Sequence, residues 1–243
     1  MKAIILAAGV GKRLWPITQH RPKCLIELGG RSLLARYLEA LAGVGIKEAV
    51  IVVGYKQEMI RAAAGSGLFG VGVRYLVNEE YRRGSITSLW LARTELVEDA
   101  VIMDADVLFH RQVLRRLMEA ASPTALLMDE TVKQQTEECM VVAQGGRVIA
   151  LTKKMPERYD LAGEGVGFLK LARRDADGLV QSLRAHIDRG ELDMEYEDGL
   201  REFFGRARVG FERIGGLPWV EIDFPEDVAR AEREILPKLE ESR

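Results

Sequence analysis

The chain begins with Lys2-Ala3-Ile4-Ile5-Leu6-Ala7-Ala8, an aliphatic run that passes without a polar break into Gly9-Val10-Gly11-Lys12-Arg13-Leu14. A short apolar stretch that stops in glycines reads as a buried strand. The glycine segment at its end narrows the choice of fold, because open α/β sheets collect ligands at the carboxyl ends of their strands. Glycines there let backbone N–H groups approach phosphate oxygens, and Lys12 and Arg13 add positive charge. Two familiar phosphate loops are excluded by the residues. A dinucleotide fingerprint needs a third glycine where Leu14 stands, and a Walker loop needs four residues before Gly-Lys and then Ser or Thr, where Arg13 follows. The apolar run is too short to span a membrane, and no second apolar region comes after it, so no membrane insertion is expected.

Short apolar runs then alternate with helical patterns, as in βαβ units on a parallel sheet. The spacing predicts strands over Lys2–Ala8, Glu48–Val53, Val71–Val77, Ala100–Met103 and Thr124–Met128. Helices are predicted over Ser32–Val44, Lys56–Ala64, Ser85–Val97 and Arg111–Ala121. After Asp129 the rhythm changes. Cys139–Ala143 and Arg147–Leu151 flank Gln144-Gly145-Gly146, a hairpin signal. A strand over Gly163–Leu171 comes next, then helices over Ala176–Arg189 and Asp198–Phe204, a short strand over Trp219–Asp223 and a charged helix over Pro225–Leu239. No linker or repeat divides the 243 residues, a length that one α/β domain can absorb.

Carboxylates recur at a fixed spacing. Asp104 and Asp106 close an apolar run and, if extended, point to one side together; Glu221 and Asp223 repeat the pattern. Carboxylates that close repel unless a cation joins them, and Mg²⁺ takes one or two of them together with phosphate oxygens and waters. The competing reading of Asp223, which precedes Phe-Pro-Glu, is a cap on the last helix. The charge sum of 35 − 37 = −2 gives no basic footprint for a nucleic-acid partner. Cys24 and Cys139 have no metal-ligand spacing, and the expectation is two reduced thiols in a cytoplasmic protein.

Leu6-Ala7-Ala8-Gly9-x-Gly11-x-Arg13-Leu14, Pro16-x-Thr18 and Pro22-Lys23 together resemble the signature of the nucleoside-triphosphate transferase family, the sugar-phosphate and phosphoalcohol nucleotidyltransferases. The resemblance extends over most of the chain and is strongest from Met1 to about Phe109. It implies an α/β fold, a Rossmann-like α/β/α sandwich with a mostly parallel mixed sheet, formed as a single domain over 1–243. Residues 1–128 would be the nucleotide-binding half and 129–243 the acceptor-binding half. Leu6, Ala7, Ala8, Gly9, Gly11 and Lys12 would hold the triphosphate, while Arg13 and Lys23 neutralise phosphate charge. Asn78, Gly84, Ser85 and Ser88 would lie beside base or ribose, although Ser85 also fits an ordinary N-cap. Family members carry a metal aspartate after the fourth strand and a second carboxylate or amide near the C-terminus. By position these are Asp106 and Asp223, with Mg²⁺ as cofactor and Asp104 and Glu221 in support. Many members show Gly-Asp where this chain has Asp104-Ala105-Asp106, so the choice between Asp104 and Asp106 stays open.

Within the family, Gly163-Glu164-Gly165, Glu195-Tyr196-Glu197-Asp198 and Trp219-Val220-Glu221 look like the phosphocholine and inositol-phosphate cytidylyltransferase branch. That likeness implies CTP as donor, a phosphorylated small alcohol as acceptor, and Lys153, Glu164, Glu195, Tyr196 and Glu197 at the acceptor. A tyrosine among acids suits a cationic head group; a solvated acidic helix start is the plainer reading. A sugar-1-phosphate enzyme using UTP, GTP or dTTP is the alternative, and a silent nucleotide-binding regulator a third. Monomer and homo-oligomer are both open.

Overall fold

The computed structural model describes residues 1–132 and 138–240. The first half lays down β1 (Lys2–Ala7), a small hairpin of β2 (Glu27–Leu28) and β3 (Arg31–Ser32), then α1 (Leu33–Gly43), β4 (Glu48–Val53) and α2 (Gln57–Ala64). It continues through β5 (Gly67–Leu68), β6 (Val71–Val77), α3 (Ile86–Ala92), β7 (Ala100–Asp104), β8 (Val107–Phe109), α4 (Arg111–Glu119) and β9 (Ala125–Asp129). The second half adds β10 (Met140–Gln144), β11 (Arg147–Thr152), β12 (Leu161–Leu171), α5 (Arg173–Asp188), α6 (Tyr196–Gly199) and α7 (Arg201–Arg206). β13 (Gly210–Arg213), β14 (Trp219–Glu221), α8 (Pro225–Arg230), a π turn over Ala231–Ile235 and α9 (Leu236–Glu240) complete it.

A ten-stranded sheet runs in the order β11-β10-β12-β7-β1-β4-β6-β5, with β9 paired to β12 and β13 to β9. Its centre, β7-β1-β4-β6, is parallel, and β12, β10 and β11 extend it antiparallel. The period-2 alternation of β1 assembles both cores. Ala3, Ile5 and Ala7 face a cluster that includes Leu34, Leu38 and Leu114, while Ile4 faces Leu89, Leu179 and Phe203 on the opposite side. Helices therefore cover both faces, and the strand ends remain open along one edge, where β1 and β7 deliver their C-terminal residues.

The local predictions hold with specific exceptions. Ser32 caps α1, its Oγ accepting from Ala35 N at 3.2 Å. Gly145 and Gly146, at φ 58° and 72°, make the two-residue turn between β10 and β11. The helix expected over Ser85–Val97 stops at Ala92 and tightens into a 3₁₀ turn, and that expected over Asp198–Phe204 starts at Tyr196 and breaks into α6 and α7. β2, β3, β5, β8 and β13 carry no sequence signal beyond two to four residues each, because tertiary pairing selects them.

Candidate active site

A cleft of about 1710 Å³ opens at the carboxyl ends of β1 and β7. It is lined by Leu6, Ala7, Ala8, Gly9, Gly11, Lys12, Arg13, Lys23, Gly84, Ser85 and Ser88, expected at the nucleotide, and by Lys153, Glu164, Glu195, Tyr196 and Glu197, expected at the acceptor. Asp104, Asp106, Glu221 and Asp223 line the same cleft. Asn78 is the one expected residue that does not line the cleft. Its Nδ2 donates to Thr87 Oγ1 at 3.0 Å and Ser88 Oγ at 2.9 Å, and its Oδ1 accepts from Glu80 N at 2.9 Å. With its polar atoms consumed, Asn78 braces the entry to α3 instead of meeting a ligand.

The glycine loop is shaped by a left-handed Gly11 at φ 64°. A Cβ there would come within 3.4 Å of Thr18 Cγ2 and 3.6 Å of Lys23 Cβ. Thr18 Oγ1 also donates to Gly11 O at 2.6 Å, so the Pro16-x-Thr18 segment holds the loop from behind. Lys23 emerges beside Gly11 at the start of a 3₁₀ turn.

The chain bends at Ala105, so Asp104 and Asp106 do not share a face as the extended-strand argument expects. Asp104 turns towards α6, where Tyr196 Oη donates to its Oδ2 at 2.8 Å. Asp106 turns towards Lys23, whose Nζ lies 2.7 Å from Asp106 Oδ2 and 2.5 Å from Asp223 Oδ1. The hydroxyl of Tyr37 spans the bend, donating to Asp104 O at 2.6 Å and accepting from Val107 N at 3.0 Å. Sequence reasoning missed Tyr37, since a tyrosine on the apolar face of α1 looks like any other core residue.

Asp223 is brought in by a separate two-stranded ribbon. β14 pairs antiparallel with β8, Glu221 opposite Val107, and Ile222 N donates to Asp106 O at 2.9 Å. The capping alternative for Asp223 fails, because Phe224 holds the N-cap position of α8 and Asp227 accepts from Asp223 N at 2.9 Å. The Asp223 carboxylate is left for the cleft, where Arg13 Nη2 lies 2.7 Å from its Oδ2. Asp106, Glu221 and Asp223 can bring carboxylate oxygens within 4.8 Å of one another, without Asp104. Glu221 opens onto the cleft, yet the surrounding protein desolvates it, and with Asp106 and Asp223 beside it its pKa rises to about 8.

At the acceptor end Tyr196 is buried, at 5% exposure, and its hydroxyl is committed to Asp104. It holds a carboxylate in place and does not present a ring face to a cation. Ser85 makes no capping bond to α3; its Oγ donates to Glu195 Oε2 and accepts from Tyr196 N at 2.8 Å. Ser85 thereby ties the start of α3 to the start of α6. Desolvation, then neighbouring carboxylates, raise Glu164 to about 7. Desolvation also raises Glu197 to about 7, and its Oε2 is shielded without a hydrogen-bond partner among the described residues. Burial, followed by Glu197 and Asp106, holds Asp104 well above the usual carboxylate range. Both cysteines are free thiols.

The sequence profile of the nucleotidyl transferase family matches residues 2–166. The chain belongs to that family. Among relatives of this nucleotidyl transferase, the CMP-5'-(3-aminopropyl)phosphonate synthase of Streptomyces rubellomurinus is 31% identical over all of this chain, which spans 40% of that protein's length. The choline-phosphate cytidylyltransferase of Streptococcus pneumoniae is 26% identical over 97% of this chain and 98% of its own. The solved structure of the inositol-1-phosphate CTP transferase from T. maritima superposes at a TM-score of 0.77 and 22% identity, covering 99% of this chain and 96% of that one. That likeness shows the shared α/β/α fold. Among the described residues no helix is long and apolar enough to cross a membrane.

Proposed function

We propose that this chain transfers CMP from CTP to the phosphate of a small phosphorylated alcohol and releases pyrophosphate. The observation that carries the reading is the convergence of Lys23 and Arg13 on Asp106 and Asp223 at the mouth of the glycine loop. A phosphate monoester is largely dianionic at pH 7, with its second pKa near about 6, so the attacking oxygen needs no general base. The protein's task is to hold two polyanions in line and to offset the charge that grows on the departing pyrophosphate. Backbone N–H groups around Gly9 and Gly11 would cradle the triphosphate, Arg13 and Lys23 would supply mobile positive charge, and Ser85, tied to Tyr196, would set the distance between donor and acceptor.

Asp106 and Asp223, with Glu221 beside them, fit Mg²⁺. The set is all hard carboxylate oxygen, and Asp106 Oδ1 is buried with no hydrogen-bond partner among the described residues. When bound there, Mg²⁺ would neutralise phosphate charge and orient the α-phosphate. CTP is preferred because the relatives from Streptomyces rubellomurinus and Streptococcus pneumoniae are named for CMP or cytidylyl chemistry, and the acid-lined end containing Glu164, Glu195 and Glu197 favours phosphocholine-like over purely anionic acceptors. The free thiols suit a cytoplasmic setting.

Four triphosphates assayed for pyrophosphate release against phosphocholine, inositol phosphate, aminoethylphosphonate and several sugar-1-phosphates, with Mg²⁺, test the proposal. CTP with a phosphoalcohol or phosphonate is the expected pair. A preference for UTP, GTP or dTTP with a sugar-1-phosphate would replace it, and release with no pair at all would revive a silent binding role.

A further inference from the structure

Lys23 is placed between two sets of partners. Its ammonium sits against Asp106 Oδ2 and Asp223 Oδ1, at 2.7 and 2.5 Å, which are oxygens of two of the carboxylates assigned to the divalent cation. An ion ligated by those oxygens at about 2.1 Å would crowd the ammonium, and one that took the unpartnered Asp106 Oδ1 would still lie only a carboxylate's width from it. Like charges at that range repel strongly in a cleft of reduced dielectric, so the two cations compete for the carboxylates. We infer that Lys23 fills the divalent-cation position in the free enzyme, so that the metal enters only with a triphosphate that draws the lysine away. The inference rests on the proposed metal use and adds an order of events to it.

The surroundings of Lys23 give it somewhere to go. Its Cβ lies 3.6 Å from where a side chain on Gly11 would begin, so the stem is rooted against the phosphate loop itself. A four-carbon stem can swing the ammonium from the carboxylates to a triphosphate on that loop while the backbone stays in place. The swing exchanges one anionic partner for another and leaves Lys23 charged throughout. Arg13 reaches Asp223 from a side chain that is 53% exposed, where water screens the pair, so the lysine is the stronger competitor. Coupling of this kind is reciprocal. Triphosphate tightens metal binding, metal tightens triphosphate binding, and both effects weaken when the lysine charge is removed.

Mn²⁺ serves as the probe, its free fraction read by electron paramagnetic resonance at fixed ionic strength on the full chain. Wild type, Lys23→Met and Lys23→Gln are titrated with and without a non-hydrolysable CTP analogue, and the Mn²⁺ that the analogue holds by itself, measured without protein, is subtracted. Without nucleotide, the variants are expected to bind Mn²⁺ about tenfold or more tightly than wild type, since a contacting positive charge has gone. The enhancement produced by the nucleotide should shrink by a similar factor. Folded variants that bind Mn²⁺ no better than wild type overturn the inference while leaving the metal site intact. Failure of wild type to bind Mn²⁺ even with the nucleotide overturns the metal assignment as well, and Asp106→Asn, which should lose Mn²⁺ under both conditions, tells the two failures apart. If neither lysine variant folds, wild type decides alone: equal Mn²⁺ affinity with and without the triphosphate refutes the coupling.

Discussion

Tyr37→Phe removes one oxygen from the middle of the molecule and tests what holds the two aspartates apart. The ring itself should stay, because it is wedged edge-on against Phe109 at 5.1 Å and Phe168 at 5.9 Å between centroids. Lost are the bond to Asp104 O and the one from Val107 N, both spanning the Ala105 bend. Leaving the buried Val107 N–H facing a ring edge costs about 1–3 kcal/mol, and the lost bond to Asp104 O adds about 1, for about 2–4 kcal/mol in all. At about 2–4 °C per kcal/mol for a domain of this size, the midpoint should drop by roughly 5–15 °C. Urea or thermal unfolding measures the stability change. Pyrophosphate release, well below the new midpoint, measures whether Asp106 has shifted, and kcat should fall about tenfold or more with the KM for CTP little changed, since small misplacements of reacting groups are costly. A variant within about 0.5 kcal/mol of wild type and equally active would refute the bracing role, because surface-like neutrality is incompatible with an orphaned buried donor. Lost stability with unchanged kcat would confine Tyr37 to packing.

Lys23→Ala and Asp106→Ala should each lower turnover by about 10²-fold or more while circular dichroism stays native, as expected when one charge-stabilising group is deleted; full turnover in either would contradict their assignment. Gly84→Ala drives a Cβ into the Met194 backbone carbonyl, in a seam where Gly84 N donates to Leu192 O at 2.8 Å. The two loop segments of that seam must part, and chemical denaturation should show a loss of about 3 kcal/mol or more. Glu164 and Glu197 at about 7 and Glu221 at about 8 keep protons in the folded state that the unfolded chain releases near about 4.3. Between about pH 5 and 8 the folded state thus binds more protons, so stability without metal should fall as pH rises and Mg²⁺ should flatten the slope. A flat or rising profile in metal-free buffer would be inconsistent with those shifts.

Residues whose role is local could be read from the chain directly. The Gly9–Leu14 loop, the Ser32 cap and the Gly145-Gly146 turn each depend on a few neighbours, and the structure places them as the pattern implies. Asp106 and Asp223 were legible as ligand candidates from their spacing and from the family signature. The side to which Asp104 turns was not, because it depends on a bend braced by Tyr37 and on a hydroxyl that arrives with α6. Ser85 and Tyr196 fell at the right place for a different reason. Their side chains and backbone link the starts of α3 and α6, a long-range fit that helical or strand periodicity does not encode. Asn78 shows the opposite case, a polar residue near a site whose hydrogen bonds are spent on Glu80 and on the first turn of α3.

The β8–β14 ribbon lies outside the main sheet, yet it fixes the position of Glu221 and Asp223 relative to Asp106. A ribosome that has made the chain only to about Gly216 has already supplied all the strands of the large sheet and most of both cores. What it has not supplied is the second wall of carboxylates. A protein shortened before Trp219 would therefore keep every strand of the large sheet while lacking two of the three carboxylates proposed to hold the metal, and loss of Mn²⁺ binding would report the missing ribbon where secondary structure would not.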